Sequence, residues 1–247
     1  MIKVLSIGNS FSVDAHFYLH DLSLCGEEEI YTVNLPIGGC PLEKHYNNMQ
    51  SGEAAYRYSI NGKGTDIAIN IEDGLKLDEW DYITIQQVSH LSGVEETYHP
   101  YIEELISYIR ERSDAEILIQ ETWAYEIDSV HGGFARYDNN QDIMYERVSA
   151  TYRKMSELFG VRLIPTGDVI QALRKTPEFD YRAGQPSLNR DGFHLSMDYG
   201  RYAAAAIWYK TLTGKKMANN SFMPYMLEVN DDSLRKIQRI KEVVDSI

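Results

Sequence analysis

Short runs of β-branched and other apolar residues occur at 2–7, 29–35, 81–85, 116–120 and 161–164, and stretches of helical character separate most of them. That alternation limits the chain to few architectures. Strands that follow one another through helices run parallel, and a parallel sheet must be covered on both faces. Helices are predicted over about 13–24, stopped by Gly26, and over about 100–112, opening at Pro100, where the missing N–H costs little. Further helices are predicted over 141–159, 203–212 and 233–247, with Gly160 and Gly214 closing the first two. The stretch 56–71 reads as a β-hairpin around Asn61-Gly62-Lys63-Gly64, inserted into the alternation. The expected fold is therefore a three-layer α/β/α sandwich with a central parallel sheet of about five strands. No repeat, low-complexity tract or linker divides the 247 residues, so one domain, 1–247, is expected.

Charge narrows the partners. With 24 Lys and Arg against 37 Asp and Glu, the net charge is -13, which repels phosphate backbones and anionic lipid heads. Neither nucleic acid nor a membrane surface is expected as a partner; a neutral substrate such as an acylated sugar fits better. No apolar run approaches the roughly 18 residues of a membrane helix. The N-terminus enters a strand pattern directly, without a secretory leader, so a cytoplasmic location is expected. Cys25 and Cys40 lack CxxC or metal-ligand spacing and are read as buried free thiols. His16 and His20, four apart, are read as a surface pair rather than a metal site. Gly62-Lys63-Gly64-Thr65 has the wrong order for a phosphate loop.

In open parallel sheets, ligands bind beyond the carboxyl ends of the strands. The residues there are Gly8-Asn9-Ser10, then Gly38-Gly39-Cys40, then Gln86-Gln87-Val88-Ser89-His90, then Glu121-Thr122-Trp123. Asp191-Gly192-Phe193-His194 lies near the end of the fold. A hydroxyl at a helix start, glycine N–H groups, side-chain amides and an Asp/His pair are what acyl transfer requires. Each residue also has a plainer reading. Ser10 equally suits a helix cap, Gly39 a turn, and Asp191 and His194 a structural turn. The long irregular stretch 121–139 suggests a loop lining a site. Its Trp123 and Tyr125 could bind substrate or belong to the core.

Gly8-Asn9-Ser10-Phe11-Ser12 resembles the nucleophile block of the SGNH (GDSL-like) hydrolases, and Asp191-Gly192-Phe193-His194 resembles their DxxH block. Gly39 fits the glycine of their second block. The resemblance implies a flavodoxin-like five-stranded sheet and hydrolysis of esters or thioesters, often acetyl esters on carbohydrates. It implies Ser10 as nucleophile, His194 as base, Asp191 as its orienting partner, and an oxyanion hole including Ser10 and Gly39, with no metal or organic cofactor. The family's GxND asparagine is missing. Gln86 is taken as the side-chain oxyanion donor, by similarity to the Gln-Gly-Glu-Ser of a carbohydrate-acetylesterase branch, with Gln87 and Ser89 as competitors. A thioesterase or lysophospholipase of the same fold, or a silent carbohydrate-binding protein, are the rival functions.

Overall fold

The computed structural model describes residues 1–247. Strand β1 (Ile2–Gly8) leads into α1 (Ser10–His16) and α2 (Leu19–Leu24), then β2 (Ile30–Pro36) and α3 (Leu42–Ser51). The hairpin β3 (Tyr56–Ile60) and β4 (Lys63–Ile69) precedes α4 (Ile71–Lys76) and β5 (Tyr82–Ile85). Next come α5 (Tyr101–Arg110), β6 (Glu116–Gln120), α6 (Gln141–Phe159), β7 (Arg162–Ile164), α7 (Thr166–Arg174), α8 (Tyr199–Thr213) and α9 (Asp231–Ser246).

The sheet has seven strands, in the order β4-β3-β2-β1-β5-β6-β7. The five strands expected from sequence are its parallel part, in flavodoxin-like order. The expected count falls short by two because the hairpin is not a separate insertion: β3 pairs antiparallel with β2 and extends the sheet.

The chain moves outward one way from β1 to β2 and the opposite way from β5 to β7. Right-handed crossovers therefore put the intervening helices on opposite faces. Consistent with this, α8 packs on α1, α2, α7 and α9, while α3 packs on α4 and α5. Strands β1, β5 and β6 are buried on both sides, and a single apolar cluster runs through both layers.

Three expectations change here. The helix foreseen over 13–24 is two helices, and the break coincides with the hairpin turn, where Gly62 lies against the carbonyls of His16 and Phe17. His16 is not a surface residue: it is buried, and its Nε2 lies 2.7 Å from Ser6 Oγ. Burial lowers this imidazole to about 3, so it is a neutral core group. The thiols are both free, Cys40 buried as expected but Cys25 exposed. No helix is long and apolar enough to cross a membrane.

Candidate active site

The order of the parallel strands reverses between β1 and β5, and the loops after these strands and after β2 border an open cleft of about 260 Å³. Ser10 opens α1 directly after β1. The capping role that Ser10 could have taken belongs to Asn9, whose Oδ1 accepts from Phe11 N at 3.0 Å. With the cap supplied by its neighbour, the Ser10 hydroxyl is released toward the cleft. It lies 2.8 Å from His194 Nε2.

His194 Nδ1 lies 2.8 Å from Asp191 Oδ2. Burial alone would raise the Asp191 carboxyl. The His194 side chain and the N–H groups of His194 and Phe193 outweigh it and hold the group below its ordinary value. An ionised carboxylate only accepts, so Nδ1 carries the ring proton and Nε2 is left to accept from Ser10. The Asp-x-x-His spacing explains the local geometry: Asp191 Oδ1 accepts from His194 N at 2.8 Å and Phe193 N at 3.2 Å, closing a turn that aims the ring.

Two groups missed in the sequence hold this turn, one from α1 and one from α7. Asp14, one helical turn after Ser10 and fully buried, accepts from Leu195 N at 2.8 Å. The same carboxylate takes Arg190 Nη1 at 3.0 Å and Arg201 Nη2 at 2.7 Å. Arg174, also buried, donates to Asn189 Oδ1 at 2.6 Å, and Asn189 Nδ2 donates to Phe193 O at 3.0 Å. Ser10 and His194 thus sit on two segments fastened by one ion network. A helix-phased Asp four residues after the serine is the signal that could have revealed Asp14.

Of the residues expected on the oxyanion side, Ser10 and Gly39 border the cleft. Gly39 lines the cleft at φ +64°, a left-handed conformation that glycine adopts without strain. The Ser10 N–H is the first donor of α1, among the groups that a helix leaves without an internal partner.

Gln86 is placed differently from the expectation. Its Nε2 donates to Asn9 Oδ1 at 2.6 Å, and it is Asn9, not Gln86, that borders the cleft. The reason is competition for the amide: Asn9 already turns its oxygen toward Phe11 N, so that oxygen draws the Gln86 donor away. Gln87 is committed elsewhere, accepting from Leu42 N and Val88 N and donating to Thr97. Of the three candidates only Ser89 reaches the cleft, where its Oγ lies 2.8 Å from Tyr125 Oη.

Trp123 and Tyr125 are corrected as substrate-binding residues. Both are 0% exposed. Phe11 stacks on Trp123 at 4.1 Å and covers it, while Trp123 Nε1 donates to Phe193 O at 2.7 Å. Tyr125 lies beneath His131 and Phe193. They form the floor under the residues that face the cleft. The aromatic groups that border the cleft are Phe193 and the nearly buried Phe11, together with His90 and His131, which scattered sequence positions did not suggest. A separate polar groove of about 280 Å³, around Arg174 and Tyr181, contains neither Ser10 nor His194.

Solved structures share this fold. A candidate SGNH hydrolase from Slackia heliotrinireducens superposes with a TM-score of 0.55 at 21% identity, over 85% of this chain and 98% of that one. An acetyl xylan esterase superposes with a TM-score of 0.58 at 16% identity, over 85% of this chain and all of that one. These likenesses establish the α/β architecture of the SGNH hydrolases. No curated protein sequence matches. A crystal structure of a DUF4886 family protein from Bacteroides uniformis is similar throughout, with 36% identity, a TM-score of 0.90, and coverage of 99% of this chain and 93% of that one. The family profile described as a domain of unknown function, DUF4886, matches residues 3–239, and this chain belongs to that family.

Proposed function

We propose that the chain is a serine esterase that removes small acyl groups, chiefly acetyl, from a carbohydrate. The observation that carries the reading is the unbroken hydrogen-bond chain from Asp191 through His194 to Ser10, 2.8 Å at each step, at the edge of an open cleft. A binding protein has no use for that arrangement.

In the first step Ser10 Oγ attacks the ester carbonyl and its proton passes to His194 Nε2. The oxyanion that forms is held by the N–H groups of Ser10 and Gly39. As the C–O bond to the alcohol breaks, His194 returns the proton to the departing oxygen, leaving an acyl group on Ser10. Water then attacks the acyl carbon with His194 again as base, and the acid leaves. Asp191 remains ionised and stabilises the imidazolium. All the groups needed are side chains and N–H donors of this chain.

Two features support a short acyl group. The cleft is small for a long chain, and Phe11, Val88 and Phe193 are its apolar members. The likeness to an acetyl xylan esterase supports carbohydrate as the alcohol, in agreement with the acidic net charge, which disfavours anionic substrates. The test is a comparison of acetyl, butyryl and octanoyl p-nitrophenyl esters with acetylated xylooligosaccharides. Acetyl should lead in kcat/KM; a clear octanoyl preference would overturn the assignment in favour of a lipase-like one.

A further inference from the structure

His90 and His131 belong to the loops after β5 and β6, while Gly39 follows β2, so the topology sets the two histidines across the crevice from the glycine. Their rings stack at 5.9 Å with an interplanar angle of 30°. His131 also stands edge-on to Phe193, 4.8 Å away, next to the catalytic imidazole. Gly133 makes the approach possible: a Cβ there would fall 2.3 Å from His90 Cβ.

The protonation of His131 is legible from its contacts. Its Nδ1 accepts from Gly133 N at 3.0 Å, so the neutral ring carries hydrogen on Nε2. His131 Nε2 and both ring nitrogens of His90 have no protein partner, and none is sealed from solvent. Burial lowers both rings; nearby charge adds to the effect, from His194 on His131 and from His131 and Arg136 on His90, with Asp191 opposing it at His131. They therefore meet the substrate as neutral imidazoles. A neutral donor–acceptor pair suits hydroxyl groups and offers nothing to a carboxylate or phosphate that a charged site would not do better.

We infer that His131 and His90 form the alcohol subsite, with His131 Nε2–H donating to one oxygen of a polyhydroxylated leaving group and His90 bonding a neighbouring hydroxyl. This rests on the esterase reading above and adds to it the residues that select the alcohol. Neither histidine takes part in bond making; both act on where the sugar sits. A neutral hydrogen bond is worth about 0.5–1.5 kcal/mol, so its loss should cost about 2–13-fold where the alcohol has hydroxyls and almost nothing where it has none.

The test uses the full-length chain and the variants His131→Phe, His131→Gln and His90→Phe, each first shown to melt near the wild-type temperature. On acetylated methyl xyloside, His131→Phe and His90→Phe should lower kcat/KM by about 2–13-fold, with His131→Gln closer to wild type because it keeps an N–H donor. On p-nitrophenyl acetate, whose leaving group carries no further hydroxyl to bond, the losses should be smaller, so the ratio of kcat/KM for the xyloside over the p-nitrophenyl ester should fall. Equal losses on both esters, or no loss on either, would overturn the subsite. A second readout does not depend on turnover: unacetylated xylooligosaccharide should shift the imidazole NMR resonances of His90 and His131. No shift would overturn the subsite even in an active esterase. A shift in a chain that hydrolyses neither ester would leave the subsite standing and refute the esterase reading alone.

Discussion

Replacing Asp14 with Asn probes the link between fold and site, because the substitution keeps volume and removes charge. The carboxylate serves two sets of donors: Oδ1 takes Arg190 and Arg201, and Oδ2 takes Leu195 N together with a longer contact from Arg190 at 3.2 Å. An amide has one oxygen, so either orientation turns an NH2 group against donors. If the oxygen keeps the arginines, the Leu195 N–H beside His194 loses its partner. If it keeps Leu195, the buried Arg201 guanidinium loses its acceptor, and in both orientations it loses its counter-ion. Breaking a buried pair from one side costs about 3–5 kcal/mol; the half-solvated Arg190 contributes less than Arg201, which favours the lower end. At about 2–4 °C per kcal/mol for a chain of this size, Tm should fall by roughly 6–12 °C. A displacement of the base by even a fraction of an ångström should lower kcat by about 10–100-fold with KM little changed. Calorimetry and p-nitrophenyl acetate kinetics, measured well below the variant's Tm, read both effects. A Tm within about 2 °C of wild type together with unchanged kcat would refute the claim that this network fastens nucleophile to base.

Ser10→Ala and His194→Ala should each remove nearly all turnover without lowering Tm, and Asp191→Asn should cost about 10⁴ in kcat through the wrong imidazole tautomer. Gln86→Ala, acting through Asn9 and not on the oxyanion itself, should lower kcat by about tenfold, well short of the 10²–10³ of a direct donor; Gln87→Ala should lower Tm instead. Glu121 is buried, and burial first, then the Asp168 carboxylate, raise it above the ordinary range. Its folded form therefore binds the proton more tightly than the unfolded chain does. The associated stability is complete below about pH 4.3 and is lost as pH rises from there through the raised value of about 8, so Glu121→Gln should flatten the decline in ΔG across that window, measured by denaturant titration.

The strands, and the residues at both ends of the chain, were legible because their signals are local. Ser10 follows a strand directly, and three residues are enough for Asp191 to cap and orient His194. The hairpin was legible as a hairpin, but its pairing with β2 was not, since an edge strand carries no mark of the sheet it joins. Short helices such as α3, α4 and α7 lack long apolar periods and escaped notice. Trp123 and Tyr125 show a different limit. A loop aromatic reads the same whether it lines a cleft or lies beneath one, and here Phe11 and Phe193, from distant segments, decide the matter. Gln86 failed for a similar reason, because the demand that captures its amide comes from Asn9. His90 and His131 meet only through the crossovers that stack β5 beside β6.

The central claim is that Ser10 carries the acyl group between the two steps. Mixing the protein with excess p-nitrophenyl acetate, quenching in acid within the first turnover and mapping the digest by mass spectrometry tests it directly. The account predicts one acetyl group on the peptide containing Ser10, formed with a stoichiometric burst of p-nitrophenol and absent from Ser10→Ala and His194→Ala. Acetyl on another residue, or undiminished turnover in Ser10→Ala, would contradict it.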